Sequence, residues 1–185
     1  MHAPSERSIE RALIHRGAKF DFERVTVDMG GGRMVMREVV RHPGAVVVVA
    51  LLDEGARVVL IRNDRIALGK ALWECPAGTL EPPEEASMCA ARELEEEAGY
   101  RPGRVIPLGS FYTTPGMTDE LMHAFAAVDL QQSAQDLEED ERIEVHVVDA
   151  AESMRMVEDG RLMDAKSMLA LLLAERRGLL KLDGR

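Results

Sequence analysis

The feature that most constrains the fold is an unbroken apolar run, AVVVVALL, at Ala45–Leu52. A run of eight residues is far too short to cross a bilayer, which takes about 20 apolar residues in a helix. A short, valine-rich run of this kind is typical of a buried β-strand. We therefore predict that this segment is a strand inside a packed domain rather than a membrane span.

Strand and helix patterns follow one another irregularly along the chain. Alternation on both sides of the glycines at 30–32 predicts a hairpin formed by residues 20–28 and 34–41. Further strands are predicted at residues 45–52, 58–62, 105–112, 121–130 and 142–148 and near Trp73, and helices at residues 84–98, 151–158 and 164–177. Because there is no regular strand–helix–strand rhythm, the pattern favours an α/β/α sandwich with a mixed sheet over a doubly wound parallel sheet. The last helix is apolar nearly all round, which predicts that it is sandwiched between layers or subunits.

The predicted helix at residues 84–98 carries crowded carboxylates. Glu93, Glu96 and Glu97 fall within an arc of about 100° when successive helix residues are rotated by about 100°. These three lie beside the apolar face and near the C-terminal end, where like charges repel each other and negative charge opposes the helix dipole. The crowding is either a solvated acidic face or a site for a hard cation such as Mg²⁺ or Mn²⁺.

The spacing of the whole segment decides between these interpretations. Gly78, five residues, Glu84, seven residues and then RELEEEAGY at 92–100 match every fixed position of the Nudix box. The loosest match is Tyr100, an aromatic residue where an aliphatic one is more common. The chain therefore resembles the Nudix hydrolases, which cleave a nucleoside diphosphate linked to another moiety, and the resemblance implies a Nudix-type α/β/α sandwich with a small N-terminal β-hairpin region.

The resemblance implies roles for the residues of this segment. The implied metal ligands are Glu93, Glu96, Glu97 and the backbone carbonyl of Ala77. Arg92 would orient the carboxylates through Glu96, and Glu84 would stabilise the loop or assist a second metal. Gly78 would let the backbone bend tightly enough to turn a carbonyl towards the metal. Bound Mg²⁺, or Mn²⁺ in its place, would neutralise the pyrophosphate and lower the pKa of an attacking water.

The flanks of the box resemble the ADP-ribose pyrophosphatase branch. LWECPAG precedes the box, TTPGMTDE follows it at residues 113–120, and Pro115 lies sixteen residues beyond Gly99, where that branch carries a proline. This implies hydrolysis of ADP-ribose to AMP and ribose 5-phosphate. The alternatives are GDP-mannose, flavin adenine dinucleotide or a nucleoside triphosphate as substrate, or a non-catalytic sensor of ADP-ribose or NAD derivatives.

The same resemblance suggests substrate contacts. The candidates are Arg65, Glu81, Glu120, Arg37 and Glu38. Arg65 would bind phosphate or ribose, although Asn63 and Asp64 depart from the usual Arg-Gln-aromatic-Arg pattern. Glu81 would contact ribose or a metal-bound water, or simply cap the loop, and Glu120 would approach the terminal ribose.

Arg37 and Glu38 would contact the adenine side from a partner subunit, although alternation on a strand explains them equally well. The catalytic base would be Glu141 or Glu139 on the acidic loop EEDERIE, or Glu97 if a metal-bridging hydroxide attacks.

Domain organisation and surroundings complete the prediction. Residues 1–41 are predicted to be an N-terminal β region that forms a homodimer, and residues 42–185 the Nudix hydrolase domain. A formal net charge of −10 argues against nonspecific binding to nucleic acid or an anionic membrane. No signal sequence is expected, and two cysteines without a disulfide framework suggest the cytoplasm.

Overall fold

The structure is a computed structural model that describes residues 9–139 and 141–182. The chain divides into two compact units, one containing the residues up to Pro43 together with Tyr112–Leu121, the other containing Gly44–Phe111 and the residues from Met122 onward. The first unit thus includes a segment from the second half of the chain. A domain boundary at residue 41 stays a prediction.

In its described part, the first unit contains a three-stranded antiparallel sheet. Its strands are β1 (Ile9–Arg16), β2 (Asp21–Asp28) and β3 (Met34–Arg41), paired in that order. The β2–β3 hairpin matches the predicted one, and its three glycines have φ angles of 85°, 64° and 76°, a region that favours glycine. Residues 112–121 attach to β3, since the Val40 N–H donates to the Met117 carbonyl at 2.9 Å.

Across the described residues, the second unit is built from a seven-stranded mixed sheet, a two-stranded sheet and three helices. The strands are β4 (Ala45–Leu52), β5 (Arg57–Arg65), β6 (Lys70–Glu74), β7 (Ala77–Thr79), β8 (Tyr100–Arg101), β9 (Arg104–Tyr112), β10 (Leu121–Val128), β11 (Gln131–Gln132) and β12 (Ile143–Asp149). The helices are α1 (Ala86–Ala98), α2 (Ala150–Glu158) and α3 (Ala165–Arg176). The main path of the larger sheet runs β12-β5-β4-β10-β9, with β6 against β5 and β7 against β4.

Strand β4 lies at the centre of this sheet, and the prediction of a buried strand is confirmed. It pairs antiparallel with β5 and β7 and parallel with β10. Its side chains alternate between two cores: Val46 and Val48 pack with Leu94 of α1, whereas Val47 and Val49 pack with Leu171 of α3. Helices therefore cover both faces of the sheet, which confirms the predicted α/β/α sandwich.

Helix α1 ends where the sequence predicts. Gly99 follows it with a φ of 69°, and its N–H donates to the Glu95 carbonyl at 2.9 Å, which closes the last turn. The buried positions of α1 are Cys89, Ala90, Leu94, Glu97 and Ala98. An ionisable residue therefore lies on the buried side of the helix, next to the apolar core.

Helix α3 begins after Asp164, whose carboxylate accepts a hydrogen bond from the Ser167 N–H at 3.1 Å. Ala170, Leu171 and Ala174 are buried, but Leu169 and Leu172 are exposed. Within this chain α3 is therefore partly covered, and its position between layers or subunits stays a prediction. In the described chain, none of the helices combines the length and the apolarity needed to span a membrane.

Candidate active site

Three carboxylates project from the last two turns of α1. Glu97 is 4% exposed, and its Oε2 accepts a hydrogen bond from the backbone N–H of Ala77 at 2.7 Å. Glu93, one turn earlier, is also largely covered, whereas Glu96 is more open to solvent. Helical spacing explains this arrangement, because residues at i and i+4 lie on the same side of a helix. Burial and Ala77 thus fix Glu97 close to β7.

Gly78 leaves room for one of these carboxylates. A Cβ at this position would lie between 1.9 and 2.2 Å from the carboxylate atoms of Glu93, which is far inside van der Waals contact. Gly78 lies within β7, paired with Val46, and is not among the glycines with positive φ. The glycine is required by the close approach of Glu93 to the strand rather than by the tight bend that the sequence suggested.

Arg92 holds three carboxylates together. Its guanidinium contacts both oxygens of Glu84 at 3.0 Å, Oε1 of Glu93 at 2.9 Å and Oε2 of Glu96 at 2.8 Å. The predicted pairing with Glu96 is therefore present, and Glu84 is tied to the same guanidinium. Glu84 also accepts a hydrogen bond from the N–H of Glu81 at 3.4 Å, while Glu81 itself is exposed. These bonds fix the loop before α1 against the helix.

A single guanidinium cannot balance this much negative charge. Burial, together with the charges of Glu93 and Glu141, raises the pKa of Glu97 to about 8 against the hydrogen bond from Ala77. Burial likewise raises the pKa of Glu93 to about 7, with Glu96 and Glu141 adding to the shift and Arg92 opposing it. Crowded carboxyls with raised pKa values are typical of functional sites.

Of the two loop candidates for the base, Glu141 is the one whose charge acts on this group. It contributes to the raised pKa values of both Glu93 and Glu97. A local turn holds it, since its N–H donates to the Glu138 carbonyl at 3.1 Å and its Oε2 accepts from the Glu138 N–H at 3.0 Å. Glu139 is exposed.

The donor set suits a hard divalent cation. In residues 9–139 and 141–182, no group of three His, Cys, Asp or Glu side chains is arranged so that it could hold a metal as it stands. Arg92 draws Glu93 and Glu96 into ion pairs, but among the described contacts each acidic residue keeps one oxygen outside these bonds: Oε2 of Glu93, Oε1 of Glu96 and Oε1 of Glu97. Carboxylate oxygens in an excess of negative charge are the ligands that Mg²⁺ prefers.

Arg65 makes contacts that the sequence did not reveal. Its guanidinium forms a two-pronged pair with Glu74, Nε to Oε1 at 2.7 Å and Nη2 to Oε2 at 2.5 Å. Lys166 adds a third bond, from Nζ to Oε2 at 2.5 Å. Burial would raise the pKa of Glu74, but the hydrogen bond from Arg65 and the charge of Lys166 outweigh it and lower the pKa.

Sequence reasoning missed Glu74 and Lys166. A signal for Glu74 existed, since a glutamate between Trp73 and Cys75 in a short strand needs a cationic partner if it is buried.

The remaining predicted substrate residues belong to the first unit. Glu120 lies 3.4 Å from Nε2 of His42, Arg37 donates to the adjacent backbone carbonyl at 2.8 Å, and Glu38 lies 3.8 Å from Arg24. Local partners thus engage all three side chains. Their roles in substrate binding stay predictions.

Known proteins resemble this chain along most of its length. The model of the NUDIX domain matches residues 41–171. An ADP-ribose pyrophosphatase of Bacillus subtilis (strain 168) is 37% identical over 173 residues, 92% of this chain and 93% of the relative. A methanol dehydrogenase activator of Bacillus methanolicus is 34% identical over 178 residues, covering 95% and 96%. A GDP-mannose pyrophosphatase of Yersinia enterocolitica is 33% identical over 175 residues, covering 88% and 89%.

A solved structure supports the fold independently. The crystal structure of an ADP compounds hydrolase superposes with a TM-score of 0.83 and covers 96% of each chain. Its sequence is 23% identical, so the likeness concerns the architecture alone.

Proposed function

The chain belongs to the Nudix family of hydrolases, and we propose that it cleaves the pyrophosphate bond of ADP-ribose, giving AMP and ribose 5-phosphate. The observation that carries the proposal is the packing of the covered carboxylates Glu93 and Glu97 on the same side of α1, next to β7, where burial raises the pKa of each. Such a group needs a cation, and a cation is also what an acidic protein needs to bind an anionic diphosphate. The ADP-ribose pyrophosphatase among the relatives supports this substrate.

Mg²⁺, or Mn²⁺ in its place, is the proposed cofactor. Glu93, Glu96, Glu97 and the Ala77 carbonyl would hold it, in agreement with the donor chemistry described above. When bound, such a cation neutralises the diphosphate and lowers the pKa of the attacking water. The Ala77 N–H and the surrounding core hold Glu97 in place, while Arg92 restrains Glu93 and Glu96.

Glu141 is the proposed general base. Its Oε2 accepts a hydrogen bond from the Glu138 N–H, which leaves Oε1 to accept a proton from water.

A nucleotide sugar other than ADP-ribose is the second candidate substrate. The observation that favours it is the GDP-mannose pyrophosphatase at 33% identity over 88% of this chain. The two candidates share the bond that is cleaved and differ in the base and the sugar.

A homodimer and a cytoplasmic location belong to the same proposal. Strand β1 is exposed along its whole length and carries Ile9 and Leu13, which gives the first unit an apolar edge that a second copy would cover. Sedimentation equilibrium should return twice the chain mass, and a value of 20.5 kDa would contradict the dimer. The buried free thiols of Cys75 and Cys89 support a reducing compartment, which cell fractionation would check.

A substrate panel tests the function. The purified protein with MgCl₂ is given ADP-ribose, GDP-mannose, flavin adenine dinucleotide and ATP in turn, and the nucleotide products are separated and quantified by ion-exchange chromatography. We expect the highest kcat/KM with ADP-ribose and no turnover in excess EDTA. A higher kcat/KM with GDP-mannose would replace the first candidate by the second, and turnover of none of them would refute the proposed function.

A further inference from the structure

A balanced polar cluster lies in the second unit, apart from the carboxylates of α1. This cluster, here called the Glu74 cluster, consists of Arg65, Glu74, Asp164, Lys166 and Ser167. Both oxygens of Glu74 are used: Oε1 by Arg65, and Oε2 by Arg65 and Lys166 together. Asp164 holds the other side of Lys166, with 2.9 Å between Oδ2 and Nζ.

The Glu74 cluster joins three elements of the fold. Arg65 ends β5, Glu74 ends β6, and Lys166 lies in the first turn of α3. A second bond fastens the same turn to the strand, since the N–H of Cys75 donates to Oγ of Ser167 at 2.7 Å. Lys166 therefore reaches Glu74 from a helix end whose own position is fixed.

Arg65 has an open end. Its pair with Glu74 uses Nε and Nη2, and no hydrogen bond within the described ranges uses Nη1. The side chain is 40% exposed, although Glu74 beneath it is only 1% exposed. Glu74 lies three residues before Ala77, whose N–H donates to Oε2 of Glu97 at 2.7 Å, so the chain that carries the partner of Arg65 runs on to the carboxylates of α1. A cationic donor is thus held at one end and presented to solvent at the other.

We propose that Lys166, acting through Glu74, positions the guanidinium of Arg65 so that Nη1 binds the diphosphate of the substrate. Lys166 is a positioning residue in this proposal, since it touches Glu74 and Asp164 rather than the substrate. The identity of the anion rests on the proposed function, whereas the contacts of the Glu74 cluster do not.

The geometry explains why a lysine is needed there. The two-pronged pair fixes the guanidinium of Arg65 relative to the carboxylate of Glu74. The bond from Lys166 ties Oε2 of the same carboxylate to α3, so Arg65 and the helix share one anchor. An error of about 1 Å in the position of a binding group can cost about a hundredfold in rate. The position of the Arg65 guanidinium therefore matters for binding and catalysis.

A double-mutant cycle on Lys166 and Arg65 tests the proposal. The variants are Lys166→Met, Arg65→Ala, the double variant, and Lys166→Arg as a conservative rescue. Readouts are kcat and KM for ADP-ribose, and the Kd of ADP by calorimetry, which needs no turnover. We expect Lys166→Met to raise KM and the Kd of ADP about tenfold with a smaller change in kcat, and Lys166→Arg to recover most of the loss.

The decisive result is the double variant. If Lys166 acts through Arg65, adding Lys166→Met to Arg65→Ala should weaken ADP binding no further, because the positioned group is already gone. Two effects that multiply would overturn the proposal, as would ADP binding that Lys166→Met leaves unchanged.

Lys181→Met is the matched control, because it removes an exposed lysine that pairs with Glu54 at 2.6 Å. It should leave both readouts unchanged, and thermal melts will show that every variant is folded at the assay temperature. Absent ADP-ribose turnover by the unaltered protein would refute the proposed function alone, since the ADP-binding cycle still decides the positioning. An unaltered protein that does not bind ADP would overturn the inference itself.

Discussion

Glu97 and Glu74 are both buried carboxyls of the second unit, yet their surroundings are opposite. Glu97 accepts one backbone hydrogen bond and is repelled by Glu93 and Glu141, so its pKa rises to about 8. Glu74 has Arg65 and Lys166 against it, so its pKa falls despite complete burial. Burial alone therefore does not decide what a carboxyl does. A buried carboxylate without a cationic partner is suited to bind a cation from solution, whereas one paired with cationic side chains holds those side chains in place.

The largest expected effect comes from replacing the unbalanced carboxyl. Glu97→Gln keeps an acceptor for the Ala77 N–H but removes the charge that would bind the metal, so kcat/KM for ADP-ribose should fall by orders of magnitude. The free energy of unfolding should not fall, because a repelled buried charge has been removed. Steady-state kinetics with MgCl₂ and urea unfolding measure the two quantities, and near-normal activity would rule out Glu97 as a metal ligand.

Replacing Glu74, the carboxylate paired with cations, by glutamine should lower the free energy of unfolding. Glu74→Gln leaves Arg65 without its carboxylate partner and Lys166 with Asp164 alone, which should lower the free energy of unfolding by about 3 kcal/mol. Urea unfolding measures it, with Glu54→Gln as a control, since that exposed pair with Lys181 should contribute almost nothing. A Glu74→Gln protein as stable as the unaltered one would show that the two clusters do not differ in this way.

A third carboxylate, Glu141, lies on the acidic loop and is the proposed general base. If Glu141 is the general base, Glu141→Gln should lower kcat about a hundredfold, with a smaller change in KM. Glu139→Gln is the matched control, because it removes the same charge from an exposed position two residues away. Equal losses in the two variants would point to the overall charge of the loop rather than to a base at position 141.

A further expected effect is a dependence of stability on pH, measured in EDTA. The pKa values of Glu93 and Glu97 in the folded state, about 7 and 8, lie above the ordinary 4.5. Between pH 4.5 and about 8 the folded protein thus holds more protons than the unfolded chain, and the free energy of unfolding falls as the pH rises. Glu97→Gln should flatten this slope.

The contribution of Glu74 to the pH dependence of stability has the opposite sign, because the pKa of Glu74 is lowered. Its contribution is complete above the ordinary pKa of 4.5 and is lost as the pH falls through the lowered value. Urea unfolding from pH 3 to pH 9 would separate the contribution of Glu74 from that of Glu93 and Glu97. A free energy of unfolding that rises between pH 5 and 8 in EDTA would contradict the raised pKa of Glu97.

The sequence predicted the elements that have strong local signals. The valine run gave β4, Gly99 gave the end of α1, and the hairpin β2–β3 appeared where alternation and glycines placed it. Strand β1 was missed because all of its side chains are exposed and no period of two marks it. Local pattern thus predicts an element that alternation or a turn signal marks, as in β3, and fails where neither is present.

Some features of the candidate site could be predicted from local spacing, and others could not. Glu93, Glu96 and Glu97 could be grouped from helical spacing, and Arg92 could be paired with Glu96 from their separation of one turn. The pairing of Glu74 with Lys166 joins residues 92 positions apart, which no local spacing encodes. The reason for Gly78 was equally hidden, since it depends on where the Glu93 carboxylate lies against β7.

The parallel pairing of β4 with β10 has a consequence for the order in which the site is made. Met122 pairs with Ala45, so β7 and α1 lie inside the stretch of chain that this pairing closes. The core beneath α1 also includes Phe125 and Ala127 of β10. On a ribosome the box helix therefore emerges before the strand that completes its burial, and Glu141 emerges later still. A nascent chain that ends before β10 contains every residue of the box but lacks Phe125 and Ala127 from the core beneath α1.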